Sequence, residues 1–112
     1  MSPITTHVLD TSLGAPAEGV PVVLLRVEDG AATELARGET NTDGRVTDLL
    51  PPGEAAPGVY RLVFDTAAYF AAGGREAFYP AVEVLFTVEK NGGHYHVPLL
   101  LSPYGYSTYR GS

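Results

Sequence analysis

The stretch HYHVPLLLSPYGYSTYRGS, residues 94–112, decides the fold because it contains two extended segments separated by the residues SPY. Side chains alternate between the two faces of a β-strand. One face of the segment 94–101 is apolar throughout, which predicts a strand packed against a protein core. That face consists of Tyr95, Val97, Leu99 and Leu101.

The opposite face of the same segment is too apolar for open water and too polar for a core. It consists of His94, His96, Pro98 and Leu100. This mixture indicates a cleft or an interface. As a metal motif the His-x-His pair is weak, because no third ligand follows at a recognisable spacing.

The rest of the chain alternates between short apolar segments and turn-forming Gly, Pro, Asn and Asp, which is typical of a β-sandwich. The segment DTAAYFAAGG differs: Asp65 suits an N-cap, residues 66–72 predict a helix, and Gly73–Gly74 predict its end. We therefore expect an all-β, single-domain chain over residues 1–112, with one short helix. The predicted strands cover residues 4–9, 20–28, 32–39, 45–47, 59–64, 81–89, 94–101 and 105–110.

The composition excludes several classes of function. Seven Lys and Arg against thirteen Asp and Glu give a net charge of −6, which disfavours nucleic-acid binding. The absence of cysteine excludes thiol nucleophiles and disulfides. No apolar run approaches the ~20 residues of a transmembrane helix, and residues 1–10 do not have the pattern of a secretory signal. We expect no membrane association and a cytoplasmic location.

Individually, the residues that could support chemistry do not specify an activity. His7 lies in an extended segment in which both faces carry polar and apolar residues. Alternation therefore does not show which face packs on the core. Arg45 follows the turn sequence TNTDG, where an exposed arginine is unremarkable. Tyr109 and Arg110 alternate on a short strand that is compatible with ordinary sheet packing. No nucleophile elbow, phosphate-binding loop or zinc-protease motif is present.

Three separated motifs together resemble the transthyretin-like 5-hydroxyisourate hydrolases. They are TTHVLDTSLGAPA at residues 5–17, TNTDGR at residues 40–45 and the stretch 94–112, which ends in Tyr-Arg-Gly-Ser. The resemblance implies a two-sheet sandwich of eight strands, with one short helix before the sixth strand. It also implies a homotetramer, a dimer of dimers, with the sites in a channel between subunits. An interface would explain the mixed face of the segment 94–101.

The resemblance implies a site by motif position. Its catalytic residues would be His7, Arg45 and His96. Tyr109 and Ser112, together with His7 and Arg45, would bind the substrate. Alternation points Arg110 away from Tyr109, so we expect a structural or interface role for it.

The implied reaction is the hydrolysis of 5-hydroxyisourate to 2-oxo-4-hydroxy-4-carboxy-5-ureidoimidazoline in urate degradation. Water would attack a cyclic amide bond, with a histidine transferring protons and an arginine holding the developing negative charge. No metal or cofactor is expected, and the sequence leaves open which histidine is the base.

Two alternatives to an enzyme remain. Transthyretin itself is a non-enzymatic carrier that binds a small hydrophobic ligand in the same channel. It lacks His7, Arg45, His96 and the Tyr-Arg-Gly-Ser ending, and these residues favour the hydrolase. A structural β-sandwich module on a cell surface is the weaker alternative, because such a module needs no polar stripe on an interface face.

Overall fold

Two β-sheets and one short helix make up the structure, a computed structural model that describes residues 1–112. The strands and the helix follow one another as β1 (Ile4–Asp10), β2 (Ala15–Pro16), β3 (Pro21–Glu28), β4 (Ala31–Glu39), β5 (Arg45–Val46), β6 (Gly58–Phe64), α1 (Thr66–Ala72), β7 (Val82–Val88), β8 (Tyr95–Ser102) and β9 (Gly105–Thr108). This confirms the predicted fold class. The strand that the sequence did not predict is β2, which has two residues and is too short to show alternation.

The first sheet has the strand order β2-β1-β8-β9, with β5 also paired to β1. Strands β1 and β8 run parallel, and every other pair in this sheet is antiparallel. The second sheet has the order β4-β3-β6-β7 and is antiparallel throughout. The parallel pair brings segments from the two ends of the sequence side by side.

The core lies between the two sheets. The apolar face predicted for the segment 94–101 is buried, and Leu99 has no exposed surface. In β1 the fully buried residues Ile4, Thr6 and Val8 face the core. This shows which face of the segment packs on the core, which alternation alone did not. His7 therefore lies on the outer face of the first sheet. Each fully buried aliphatic side chain contributes about 1.5–3 kcal/mol to folding relative to exposure.

The helix α1 covers the predicted residues. The Asp65 side chain accepts a hydrogen bond from the Ala68 amide at 3.1 Å, and so caps the N-terminus. Gly74, with a φ of 70°, follows the last turn in the left-handed conformation that favours glycine. Phe70 anchors the helix to the core with 1% of its surface exposed. No helix in the structure has the length and apolarity needed to cross a membrane.

Candidate active site

A polar pocket of about 320 Å³ opens on the outer face of the first sheet. We call it the histidine pocket. Strand pairing builds it, because β1 lies between β5 and β8 and carries residues that face both neighbours. Its lining residues are Met1, Thr5, Arg45, Thr47, His94, His96 and Ser112.

His7 and His96 lie close together on this face. Their ring centroids are 6.5 Å apart, and the ring planes are inclined by 32°. His7 is half-buried and pairs with Pro98 of β8, two residues beyond His96. The two imidazoles, 89 positions apart in the sequence, are therefore held near each other by the parallel register.

Arg45 lies directly opposite His7 in the antiparallel pair of β1 and β5. The turn before it is closed by Asn41, whose side-chain oxygen accepts hydrogen bonds from the amides of Asp43, at 2.9 Å, and Arg45, at 3.0 Å. This local closure is an Asx turn. It presents an exposed guanidinium beside the two histidines.

His96 is held through both its ring and its backbone. Its Nδ1 lies 2.8 Å from the Thr5 hydroxyl, and its backbone oxygen accepts a hydrogen bond from the Gly111 amide at 2.8 Å. Burial lowers the pKa of His96 below its ordinary value of 6.5, and the charges of Arg45, His7 and His94 lower it further. A neutral imidazole is therefore favoured here, as a general base requires.

Thr5 and His94 belong to the site although sequence reasoning gave neither of them a role. The Thr5 hydroxyl also lies 2.9 Å from Nε2 of His94, so it contacts two histidine rings at once. Alternation already placed Thr5 on the same face as His7. The contact with His96 depends on the parallel register of β1 and β8, which the sequence did not predict.

The residues of the Tyr-Arg-Gly-Ser segment are divided between two cavities. Ser112 lines the histidine pocket. Tyr109 is 57% exposed and lines a separate cleft of about 230 Å³ beside β7 and β8. One protomer thus does not bring Tyr109 to the histidine pocket, and its expected contact with substrate stays a prediction.

Arg110 contacts other residues of the same protomer, although it lies beyond the end of β9 and lines the same cleft as Tyr109. Its guanidinium carbon lies 4.2 Å from the centre of the Tyr95 ring, within the range of a cation–π contact. It also donates hydrogen bonds to the backbone oxygens of Gly92, at 3.2 Å, and His94, at 3.4 Å. Arg110 thereby ties the C-terminal segment to the residues that precede β8.

No group of three or more His, Asp or Glu side chains is arranged to hold a metal ion. The histidine pocket instead combines imidazoles, a guanidinium and hydroxyl groups. Such groups can transfer protons and stabilise an oxyanion, and the addition of water to a carbonyl group requires both.

This fold and site define a family. Residues 4–111 match the HIUase/Transthyretin family, and the chain belongs to it. The resemblance to transthyretin-like 5-hydroxyisourate hydrolases that the sequence motifs indicated is thereby confirmed.

Two similar curated relatives in the family are named 5-hydroxyisourate hydrolase. The 5-hydroxyisourate hydrolase of Mus musculus is 52% identical, over 99% of this chain and 96% of its own length. The 5-hydroxyisourate hydrolase of Salmonella dublin is 50% identical, over 97% of this chain and 80% of its own length.

Solved structures in the family include both a 5-hydroxyisourate hydrolase and a transthyretin in complex with thyroxine. The 5-hydroxyisourate hydrolase of Klebsiella pneumoniae superimposes with a TM-score of 0.81 at 38% identity, covering 97% of this chain and 92% of its own. Sea bream transthyretin in complex with thyroxine superimposes with a TM-score of 0.91 at 34% identity, covering 98% of this chain and 95% of its own. The fold alone therefore does not separate the two functions.

Proposed function

We propose that this protein hydrolyses 5-hydroxyisourate to 2-oxo-4-hydroxy-4-carboxy-5-ureidoimidazoline. One observation carries the proposal: His7, Arg45 and His96, distant in the sequence, meet on one face of the first sheet. The relatives named 5-hydroxyisourate hydrolase, at about 50% identity over nearly the whole chain, support the same activity.

In the proposed mechanism, His7 and His96 position and deprotonate the attacking water. The lowered pKa of His96 keeps that ring neutral and able to accept a proton at neutral pH. Arg45 supplies a positively charged guanidinium. It binds the substrate and stabilises the negative charge that develops on the carbonyl oxygen. The ring nitrogen leaves after it receives a proton.

We further propose that the working unit is a homotetramer, built as a dimer of dimers. Two features support an assembly: β7 and β9 are edge strands without a second partner in one protomer, and Leu85 on β7 is 62% exposed. A partner covering the outer face of the first sheet would enclose the histidine pocket. Analytical ultracentrifugation measures the assembly directly. The cytoplasmic location expected from the sequence stays a prediction.

The test of the activity uses 5-hydroxyisourate made freshly with urate oxidase, and follows its ultraviolet absorbance with and without the protein. We expect faster decay with the protein. We expect His7→Asn and His96→Asn each to lower kcat/KM by at least about 10²-fold, the usual contribution of general acid–base groups. Arg45→Glu should lower it by at least about 10²-fold as well, because it removes the group that stabilises the oxyanion.

Arg61→Gln is the control for these variants, because Arg61 pairs with Glu83 on the second sheet, away from the histidine pocket. It should leave kcat/KM unchanged. If the three site variants kept the wild-type kcat/KM, the assignment of His7, His96 and Arg45 would be wrong.

The carrier function is the second candidate, because the likeness to sea bream transthyretin in complex with thyroxine is close. Calorimetry with thyroxine separates the two. Thyroxine binding without any acceleration of 5-hydroxyisourate decay would favour the carrier over the hydrolase.

A further inference from the structure

The hydroxyl group of Thr5 bridges two histidine rings of the histidine pocket. Thr5 is buried, with 2% of its surface exposed. Its oxygen lies 2.8 Å from Nδ1 of His96 and 2.9 Å from Nε2 of His94. Both distances are those of good hydrogen bonds.

The Thr5 hydroxyl cannot donate a hydrogen bond to both histidine rings. It has one hydrogen and two lone pairs, so it can donate to only one ring nitrogen. For both contacts to be hydrogen bonds, at least one of the two nitrogens must carry a hydrogen and donate it to Thr5. A neutral imidazole carries a hydrogen on only one of its two nitrogens. The tautomer of His94 is therefore coupled to the tautomer of His96.

The Nε2 atom of His96 has a different environment from its Nδ1 atom. Nε2 makes no hydrogen bond to another protein group, whereas Nδ1 is engaged by Thr5. When Thr5 donates to His94, Nδ1 of His96 carries the hydrogen and Nε2 is left with a free lone pair. That arrangement prepares His96 to accept a proton from water.

The charges around the two rings differ as well. His96 faces Arg45 and His7, which both oppose an additional positive charge. His94 is exposed, and it lines a neighbouring cavity of about 390 Å³ together with Glu54. Water can therefore solvate a charge on the exposed His94, whereas the half-buried His96 faces two basic side chains.

We propose that Thr5 is a positioning residue that relays a proton between His96 and His94 during the hydrolysis. This inference rests on the proposed function. As the water oxygen bonds to the substrate carbonyl, Nε2 of His96 takes one proton from that water. The hydrogen on Nδ1 of His96 passes to Thr5, and the original hydroxyl hydrogen of Thr5 passes to Nε2 of His94. His96 is then neutral with its hydrogen on Nε2, and His94 carries the positive charge.

The second half of the cycle reverses the relay. Nε2 of His96 gives its proton to the ring nitrogen as the carbon–nitrogen bond breaks. The proton on Nε2 of His94 returns to Thr5, and the hydroxyl hydrogen of Thr5 returns to Nδ1 of His96. Both rings end neutral, as they began. The relay thus converts His96 from base to acid within one turnover.

The test uses Thr5→Val, which keeps the shape but removes the hydroxyl, and Thr5→Ser, which keeps the hydroxyl. We expect Thr5→Val and His94→Asn each to lower kcat by about 10²-fold, at the lower end of general acid–base effects, with KM within about twofold. The double variant should lose no more than either single variant, because both break one relay. Thr5→Ser should restore most of kcat.

Thr11→Val is the matched control. The Thr11 hydroxyl donates to the Leu101 oxygen at 3.1 Å, beyond the far end of β1. The variant should retain wild-type kcat. A wild-type kcat in Thr5→Val would overturn the relay.

Imidazole 15N chemical shifts give a readout that is independent of activity. In the wild type, titration of His94 should also shift the ring nitrogens of His96, and Thr5→Val should abolish this coupling. Turnover without any coupling would refute the relay. Coupling without turnover would refute the hydrolase but retain Thr5 as the residue that sets the tautomer of His96.

Discussion

Gly111 is the residue that allows the C-terminal segment to approach the His96 ring. Its amide donates to the His96 backbone oxygen at 2.8 Å, and an added Cβ would lie 2.7 Å from Cδ2 of His96. This distance is too short, so the added methyl group of Gly111→Ala should push the His96 ring aside. The 2.8 Å contact between the ring and the Thr5 hydroxyl should then lengthen. We expect kcat to fall by about 10–100-fold, since a misplacement near 1 Å costs up to 10²-fold. Steady-state kinetics and a thermal melt measure the two effects.

Gly105→Ala is the control for this variant. A Cβ on Gly105 would meet only the Ser102 hydroxyl oxygen at 3.7 Å, an ordinary contact. Its kcat and melting temperature should match those of the wild type. An equal loss of activity in both variants would contradict the argument from the His96 ring.

The sequence indicated some of the individual residues of the candidate site but not all of them. The motifs pointed to His7, Arg45 and His96, and the structure brings these three together. Thr5 and His94 were not assigned a role, because a hydroxyl that bridges two rings is visible only once β1 and β8 are paired in register.

Among the structural elements, the turn before β5 decides where Arg45 points. Gly44 has a φ of 76°, its oxygen accepts from the Val8 amide at 2.7 Å, and a Cβ there would overlap the Val8 oxygen. Gly44→Ala therefore combines an unfavourable φ, which costs about 1–2 kcal/mol, with a clash against backbone. We expect a larger loss of stability than that cost, and a fall in kcat/KM because Arg45 moves. Denaturant unfolding and kinetics test both.

Gly30→Ala separates the two causes. Gly30 has nearly the same φ, 77°, but nothing lies within 4 Å of an added Cβ. It should show the conformational cost alone, with unchanged kcat/KM. Equal destabilisation of the two variants would mean that the contact with β1 is unimportant.

The elements were predictable where local chemistry determines them. The Asp65 cap and the glycines after Ala72 define α1, and the apolar alternation from Tyr95 to Leu101 defines β8. Strand β9 ends at Thr108 rather than Arg110 as predicted, because beyond it only an isolated bridge between Gly111 and His96 continues the pairing. That difference depends on tertiary contacts, which alternation does not report.

For the whole molecule, a buried carboxylate joins the first sheet to the helix. Asp10 at the end of β1 has a fully buried side chain, which accepts hydrogen bonds from Tyr69 of α1 at 2.7 Å and from Arg75 at 2.6 Å. Burial raises the pKa of Asp10, but hydrogen bonds from Ser12, Arg75 and Tyr69 outweigh burial and lower it to about 2. The ionised form is thus bound more strongly in the folded state than in the unfolded chain.

The sign of the pH dependence follows from this pKa. The stability that Asp10 contributes is present above its ordinary value of 3.8, and it is lost as the pH falls towards about 2. Tyr69→Phe should destabilise the protein by about 1.5–3 kcal/mol at neutral pH, as expected for a hydrogen bond to a charged group. The difference from the wild type should shrink between pH 3.8 and about 2. Urea unfolding at several pH values measures it.

Tyr79→Phe is the control for this experiment, because the Tyr79 hydroxyl makes no hydrogen bond within the protein, although its ring packs 5.1 Å from the Tyr106 ring. It should leave the free energy of unfolding unchanged at every pH. A Tyr69→Phe effect that did not vary with pH would mean that the hydroxyl does not act through the Asp10 charge.

The parallel pairing of β1 with β8 has a consequence for biosynthesis. Thr6 and Val97 are hydrogen-bonded although they are 91 positions apart in the sequence. At a translation rate of about 5–20 residues per second, the nascent β1 waits roughly 5–18 s for its neighbour. During that interval the edge is a target for chaperones or for mispairing. The pairing that brings His7 close to His96 can therefore form only after β8 has left the ribosome.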